Sequence, residues 1–238
     1  MSSFAIDQIQ AVVCDFDGTL AHTQIDFAQM RSRTVELIKA WGLWQDAMDQ
    51  GLYILELIEV SEDRLAADPL RRSQFRREAD AVLEDVEVGF CAKGSPFPGI
   101  PDALMDLANA GMRIGIITRN CRRAVEAFLA RHPLYFDLLL TRDDVPAVKP
   151  DKGHLLAALE VLQVAPEHAL LVGDHRTDIE CGQAAGAFTC GVLTDRTTCD
   201  QFATYGADLV AADLAVVARF LLSGDTSELI ACSPRTTL

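Results

Sequence analysis

Ala11-Val12-Val13-Cys14-Asp15-Phe16-Asp17-Gly18-Thr19-Leu20 is the stretch whose reading decides the fold. Four apolar residues run without interruption into two carboxylates and a glycine. A strand wet on one face would alternate apolar and polar residues; an unbroken run reads as a strand buried on both faces, as in a parallel sheet. Similar short runs recur at 113–118 (RIGIIT), 137–141 (DLLLT), 169–174 (ALLVGD) and 188–193 (FTCGVL), with a weaker one at 208–210. Between them, 101–110, 122–131, 152–162, 177–185 and 214–222 carry helical spacing. Strand and helix therefore alternate, which predicts a three-layer α/β domain around a mostly parallel sheet of five or six strands. In such a domain ligands gather outside the carboxyl ends of the strands.

Residues 22–95 break the alternation, because they carry helical periodicity alone. Phe27, Met30, Leu37, Ile38 and Trp41 fall roughly on one helix face, and Phe75, Ala79, Val82 and Val86 on another. Phe27, Trp41 and Trp44 read as core of this segment. Ser61-Glu62-Asp63 reads as a helix start, a hydroxyl followed by two acids, and Asp68-Pro69 as a further break. Gly94-Ser95-Pro96-Phe97-Pro98-Gly99 reads as the hinge back to the sheet. The organisation expected is a core of residues 1–21 and 96–238 with an all-helical insertion at 22–95. Residues 223–238 read as a loose tail, and no internal repeat is present.

Composition narrows the function. The 238 residues are half hydrophobic, enough for a sizeable core and far from a disordered composition. The formal charge is 21 − 35 = −14. That balance opposes a nucleic-acid partner, since non-specific affinity for a polyanion comes from many Lys and Arg releasing counterions. The seven cysteines, Cys14, Cys91, Cys121, Cys181, Cys190, Cys199 and Cys232, include no C-x-x-C pair, which fits a reduced setting. The opening MSSFAIDQIQ has neither the basic residue nor the apolar run of a signal peptide, and no apolar stretch approaches a membrane span. A cytoplasmic protein with no membrane association is expected.

Asp15 and Asp17 stand two apart at the end of the first strand. Two carboxylates about 4 Å apart repel by roughly 4 kcal/mol at an effective dielectric near 20, a cost that a cation beside them removes. Gly173-Asp174-His175-Arg176-Thr177-Asp178 again places carboxylates just after a buried strand, and in a parallel sheet both groups emerge at one edge. Oxygen donors favour Mg²⁺ over zinc. Taken singly each feature has a plain structural reading, a solvated turn or a helix cap. Thr118, Arg119 and Asn120 end another strand with polar groups, and Lys149 precedes a proline. A hydroxyl and a lysine suit the oxygens of a phosphoryl group and the charge that develops in its transfer.

The order Asp15-Phe16-Asp17-Gly18-Thr19-Leu20, then Thr118, then Lys149-Pro150, then Gly173-Asp174 with Asp178, resembles the four motifs of the haloacid dehalogenase-like (HAD) hydrolase superfamily. The helical insertion after the first motif resembles the α-helical cap of its phosphoglycolate phosphatase-like branch. The resemblance implies a Rossmann-like α/β core and a Mg²⁺-dependent phosphatase acting on a small phosphate monoester. Asp15 would be the nucleophile that becomes phosphoaspartate, and Asp17 the acid that protonates the leaving oxygen and then the base that activates water. Mg²⁺ would be held by Asp15, the Asp17 carbonyl and Asp174, with Asp178 a further or outer acid. Thr118 and Lys149 would hold the phosphoryl group, with backbone N–H groups near Phe16, Arg119 and Asn120.

An acid at Asp17 separates phosphatases and phosphomutases from dehalogenases and phosphonatases in this family. A sugar phosphomutase is the alternative on the same scaffold, followed by a non-catalytic phosphoacceptor or binding module. Arg119 reaches an anionic substrate or lies on the surface, and His175 points into the site or caps a helix. Arg71, Arg72, Arg76 and Arg77 attract a substrate or pair with neighbouring acids at helical spacing. The expected partner is a small phosphorylated metabolite, and the expected assembly a monomer or homodimer.

Overall fold

The structure, a computed structural model, describes residues 8–49 and 51–230. It divides into two compact units, Met1–Thr23 with Gly94–Leu238, and Gln24–Lys93. In chain order the elements begin with strands β1 (Ala11–Cys14) and β2 (Ala21–His22) and helices α1 (Phe27–Ala40), α2 (Ile54–Asp63) and α3 (Pro69–Cys91). They continue with β3 (Ser95–Pro96), α4 (Ile100–Asn109), β4 (Arg113–Ile117), α5 (Arg122–Leu129), β5 (Leu138–Leu140) and α6 (Lys152–Leu162). The last are β6 (Ala169–Gly173), α7 (Arg176–Ala185), β7 (Phe188–Val192), α8 (Cys199–Tyr205), β8 (Leu209–Ala211) and α9 (Leu214–Ser223).

The first unit is built on a six-stranded sheet in the order β5-β4-β1-β6-β7-β8, every neighbouring pair parallel. This is the three-layer α/β core expected from the alternation. All four residues of β1 are fully buried, as are those of β6, because helices cover both faces. Ala11, Val13 and Leu171 pack with Leu155, Ala158 and Leu159 of α6 in one hydrophobic cluster. α6 and α7 pack together, as do α4 and α9. The chain leaves β1 for β4 and β5 on one side and returns to β6 on the other, so the strand order reverses at β1. Such a switch point opens a crevice at the carboxyl edge. Cys14 is registered with Ile116 of β4 and Val172 of β6, and the Asp15 N–H donates to the Val172 carbonyl. The loops that leave these three strands therefore emerge at one level.

β2 and β3 form a two-residue antiparallel ribbon, Ala21 against Pro96 and His22 against Ser95, too short for any sequence periodicity. In the second unit α1, α2 and α3 pack on one another. Asp68 caps α3, its carboxylate accepting from the Arg71 N–H, with Pro69 in the first turn where no donor is needed. Two expectations fail here. Ser61 does not start a helix: it lies near the end of α2, its hydroxyl donating to the Leu57 carbonyl four residues back. Phe27 is exposed and Leu37 and Trp41 are only half-buried, while Met30 and Ile38 of the expected face are buried, joined by Thr34.

Within the basic cluster of α3 two arginines pair with acids, while Arg77 donates to the Ser73 hydroxyl. Arg72 contacts Glu62 and Asp63, Arg76 contacts Asp80 and Glu62, and Arg71 lies over the Trp41 ring. Cys14, Cys91, Cys121, Cys181 and Cys190 are buried thiols outside any disulfide, whereas Cys199 is disulfide-bonded, a departure from the fully reduced chain expected. The opening decapeptide up to residue 7, Cys232 and the tail from residue 231 lie outside the described residues. Among the described residues no helix is long and apolar enough to cross a membrane.

Candidate functional site

The site forms where β1, β4 and β6 end. After β1 the chain turns tightly: the Phe16 carbonyl accepts from the N–H groups of Leu20 and Ala21, and the Gly18 N–H donates to the Ala21 carbonyl. Phe16 anchors the turn in the core, its ring edge-on to Phe128 at 5.1 Å. Gly18 has φ +90°, and a Cβ there would sit 2.2 Å from Asp174 Oδ2. Only glycine lets the turn lie against that carboxylate.

Asp15, Asp174 and Asp178 meet, each offering a carboxylate oxygen within 4.8 Å of the others, and all three are buried. At that spacing each pair repels by about 3–4 kcal/mol at an effective dielectric of 20. One buried cation opposes them. Lys149 Nζ lies 2.5 Å from Asp15 Oδ1 and 2.7 Å from Asp178 Oδ1. Burial works against its charge, but the two carboxylates hold it firmly protonated. Asp15 is pushed above the ordinary carboxylate range by burial, against the pull of Lys149. Asp174 is pushed up to about 8 by burial and by the charges of Asp15 and Asp178. Three clustered hard-oxygen donors, opposed by buried Lys149 and by Arg196 at the rim, are the donor set of a hard divalent cation of the Mg²⁺ kind, which would take the place of the proton that burial favours on Asp174.

Asp17 stands apart from this cluster. Its carboxylate accepts from the Thr23 hydroxyl at 2.7 Å and the Asn120 amide at 2.9 Å, so its side chain is oriented by two loops. Thr118 is buried at the end of β4, its N–H donating to the Leu140 carbonyl and its Oγ1 accepting from the Asn120 N–H. The fold therefore brings Thr118 and Asn120 together with Asp17. Asp178 serves two partners, since Oδ2 accepts the His175 N–H at 3.0 Å while Oδ1 faces Lys149. Gly173 makes room for it, because a Cβ there would fall 2.2 Å from the Asp178 Cγ. His175 is a helix cap: its Nδ1 accepts from the Thr177 N–H at the start of α7. Burial and the nearby Arg119 charge push its pKa down. Arg119 is half-buried, and its carbonyl accepts from Arg142 Nη1.

Three residues of the site carried no signal in the sequence motifs. Thr23, which orients Asp17, lay inside the segment assigned to the insertion. His154 is fully buried in the first turn of α6; its Nδ1 accepts the Lys149 N–H at 3.3 Å and its Nε2–H donates to the Leu140 carbonyl at 3.3 Å, tying the Lys149 loop to β5. Burial, and then Lys149, push its pKa down to about 3, so it stays a neutral brace. Arg196 follows β7, with Nη2 3.3 Å from Asp174 Oδ2. The signal for it was topological: Gly191 of β7 pairs with Gly173, so that loop too leaves the carboxyl edge beside Asp174.

Known proteins resemble this chain in sequence and fold. A family model described as haloacid dehalogenase-like hydrolase matches residues 12–192. A haloacid dehalogenase-like hydrolase domain-containing protein of Arabidopsis thaliana, At2g33255, is 32% identical over 199 residues, 83% of this chain and 75% of that protein. The pyrophosphatase PpaX of Bacillus cereus is 42% identical over 93 residues, 38% of this chain and 43% of that protein. A Bacteroides fragilis structure described as a haloacid dehalogenase-like hydrolase superposes with TM-score 0.65 at 27% identity, covering 88% of this chain and 99% of that one. With the family match spanning strands β1 to β7 and every acid of the cluster, the chain belongs to the haloacid dehalogenase-like hydrolases.

Proposed function

We propose that this hydrolase is a divalent-cation-dependent phosphatase that cleaves a small phosphate monoester through a phosphoaspartyl intermediate on Asp15. The observation that carries the reading is the buried Asp15-Asp174-Asp178 cluster with Lys149 set between two of its members. The 42% identity with PpaX over 93 residues supports phosphate chemistry, as does the carboxylate held at Asp17.

Each residue has a task on this reading. Asp15, at the strand end, attacks phosphorus, and its ordered carboxylate avoids the entropic cost of a mobile nucleophile. Lys149 pulls Asp15 toward its ionised form against the effect of burial and offsets charge on the phosphoryl oxygens. Thr118 offers its hydroxyl to the same oxygens. Asp17, held by Thr23 and Asn120, delivers a proton to the leaving oxygen and then takes one from the attacking water. Asp15, Asp174 and the Asp17 carbonyl would hold the cation, with Asp178 bracing Lys149 beside them. Bound there, Mg²⁺ would neutralise the acids and polarise the phosphoryl group. The partner is a small phosphorylated metabolite.

The test is phosphate release from p-nitrophenyl phosphate by the full chain. Release requires added Mg²⁺ and falls at least about a thousandfold in Asp15→Asn with the circular dichroism spectrum unchanged. Turnover persisting in that variant sinks the nucleophile assignment. A bisphosphorylated sugar formed from a sugar monophosphate would instead support the phosphomutase alternative.

A further inference from the structure

We infer that Arg196 is a specificity-determining residue, and that the substrate carries, beside the phosphoryl group that reacts, a second anionic group held by this guanidinium. The inference rests on the phosphatase reading above and deepens it by naming a substrate class.

The groups of the site that can meet an anion fall on two sides, with Arg119 following Thr118 on the first of them. Lys149 and Thr118 come from the β4 and β5 side of the sheet, and Lys149 is buried and already balanced against Asp15 and Asp178 at 2.5 and 2.7 Å. They serve the phosphoryl group at the nucleophile. Arg196 comes from the opposite side, on the loop after β7, two strands from β1. Thr194 and Thr197 shape that loop: the Thr194 N–H donates to Thr197 Oγ1 and the Arg196 N–H to Thr194 Oγ1. The guanidinium lies with one nitrogen 3.3 Å from Asp174 Oδ2, yet its side chain is 58% exposed where that of Asp174 is 6% exposed. It therefore stands at the rim of the site, between a buried carboxylate and solvent.

A cation held by Asp15 and Asp174 would compete with Arg196 for the same carboxylate. The Arg196–Asp174 pair would then weaken, leaving the guanidinium to accept an anion arriving from solvent. Its planar fork of donors matches a carboxylate or a phosphate. Lys149 cannot reach that group from inside the core. A substrate with two anionic ends thus meets Lys149 and Thr118 with one and Arg196 with the other.

The experiment is calorimetric binding to Asp15→Asn at fixed free Mg²⁺, with inorganic phosphate, 2-phosphoglycolate and pyrophosphate as probes. The first has no second group, the second adds a carboxylate and the third a phosphate, so the two sources are separated. At least one two-group probe binds at least tenfold tighter than inorganic phosphate, and Arg196→Gln in the same background lowers that ratio about tenfold, with Arg196→Lys recovering part of it. Thermal unfolding with and without Mg²⁺ checks that the variants keep the fold. Equal weakening for all three probes, or no advantage of either two-group probe, overturns the inference. Phosphate release from p-nitrophenyl phosphate by the wild type tests the phosphatase reading separately. Release without a two-group preference defeats only the Arg196 inference, and preference without any release defeats only the phosphatase reading.

Discussion

Lys149 is the residue on which the site's electrostatics turn. Fully buried and paired with two carboxylates, it is held in place by its neighbour His154 through the backbone. Lys149→Met leaves Asp15 and Asp178 uncompensated, and breaking a buried pair from one side costs about 3–5 kcal/mol. The expected result is a lower urea midpoint for the cation-free variant, partly restored by Mg²⁺. Asp174 gives a pH prediction. The folded, cation-free chain holds its proton up to about pH 8, so this group favours the fold at low pH and loses that contribution as pH rises from the ordinary carboxylate range to 8. A cation must displace that proton. Its affinity, followed by isothermal titration, is therefore expected to weaken as pH falls from 8 to 6, by up to about tenfold per unit.

Among the elements, the tight turn after β1 is the one the site depends on most. Gly18→Ala places a Cβ against the Asp174 carboxylate at a positive φ, so the turn or the acid must shift. Weaker Mg²⁺ binding together with lower phosphate release is expected, and a variant titrating like the wild type would contradict the close approach. The strands were legible because burial on both faces leaves unbroken apolar runs, and the motif acids were legible because those runs stop at them. Other features were decided by different physics. The β2–β3 ribbon is too short to carry a period, Ser61 satisfies its hydroxyl within a helix, and Phe27 is apolar yet exposed. Thr23, His154 and Arg196 take their roles from partners that only the folded chain brings near them.

At the scale of the whole molecule, the charge of −14 has a local meaning. It opposes polyanions in general, but three of the acids are folded into one buried cluster at a sheet edge, where on the proposed reading their charge would recruit a cation and so permit phosphate to enter. The core unit brings these acids together by placing the ends of β1 and β6 side by side at the point where strand order reverses, and in the helical unit Arg33, Arg72 and Arg76 pair with acids of that unit. The central claim is that Asp15 becomes phosphorylated. The most direct measurement is to quench the enzyme during turnover of a small phosphate ester with Mg²⁺, reduce with borohydride, and map the reduced acyl phosphate by mass spectrometry. The modified residue is expected at Asp15 and absent when Mg²⁺ is omitted; modification at another acid, or none during active turnover, would contradict that claim.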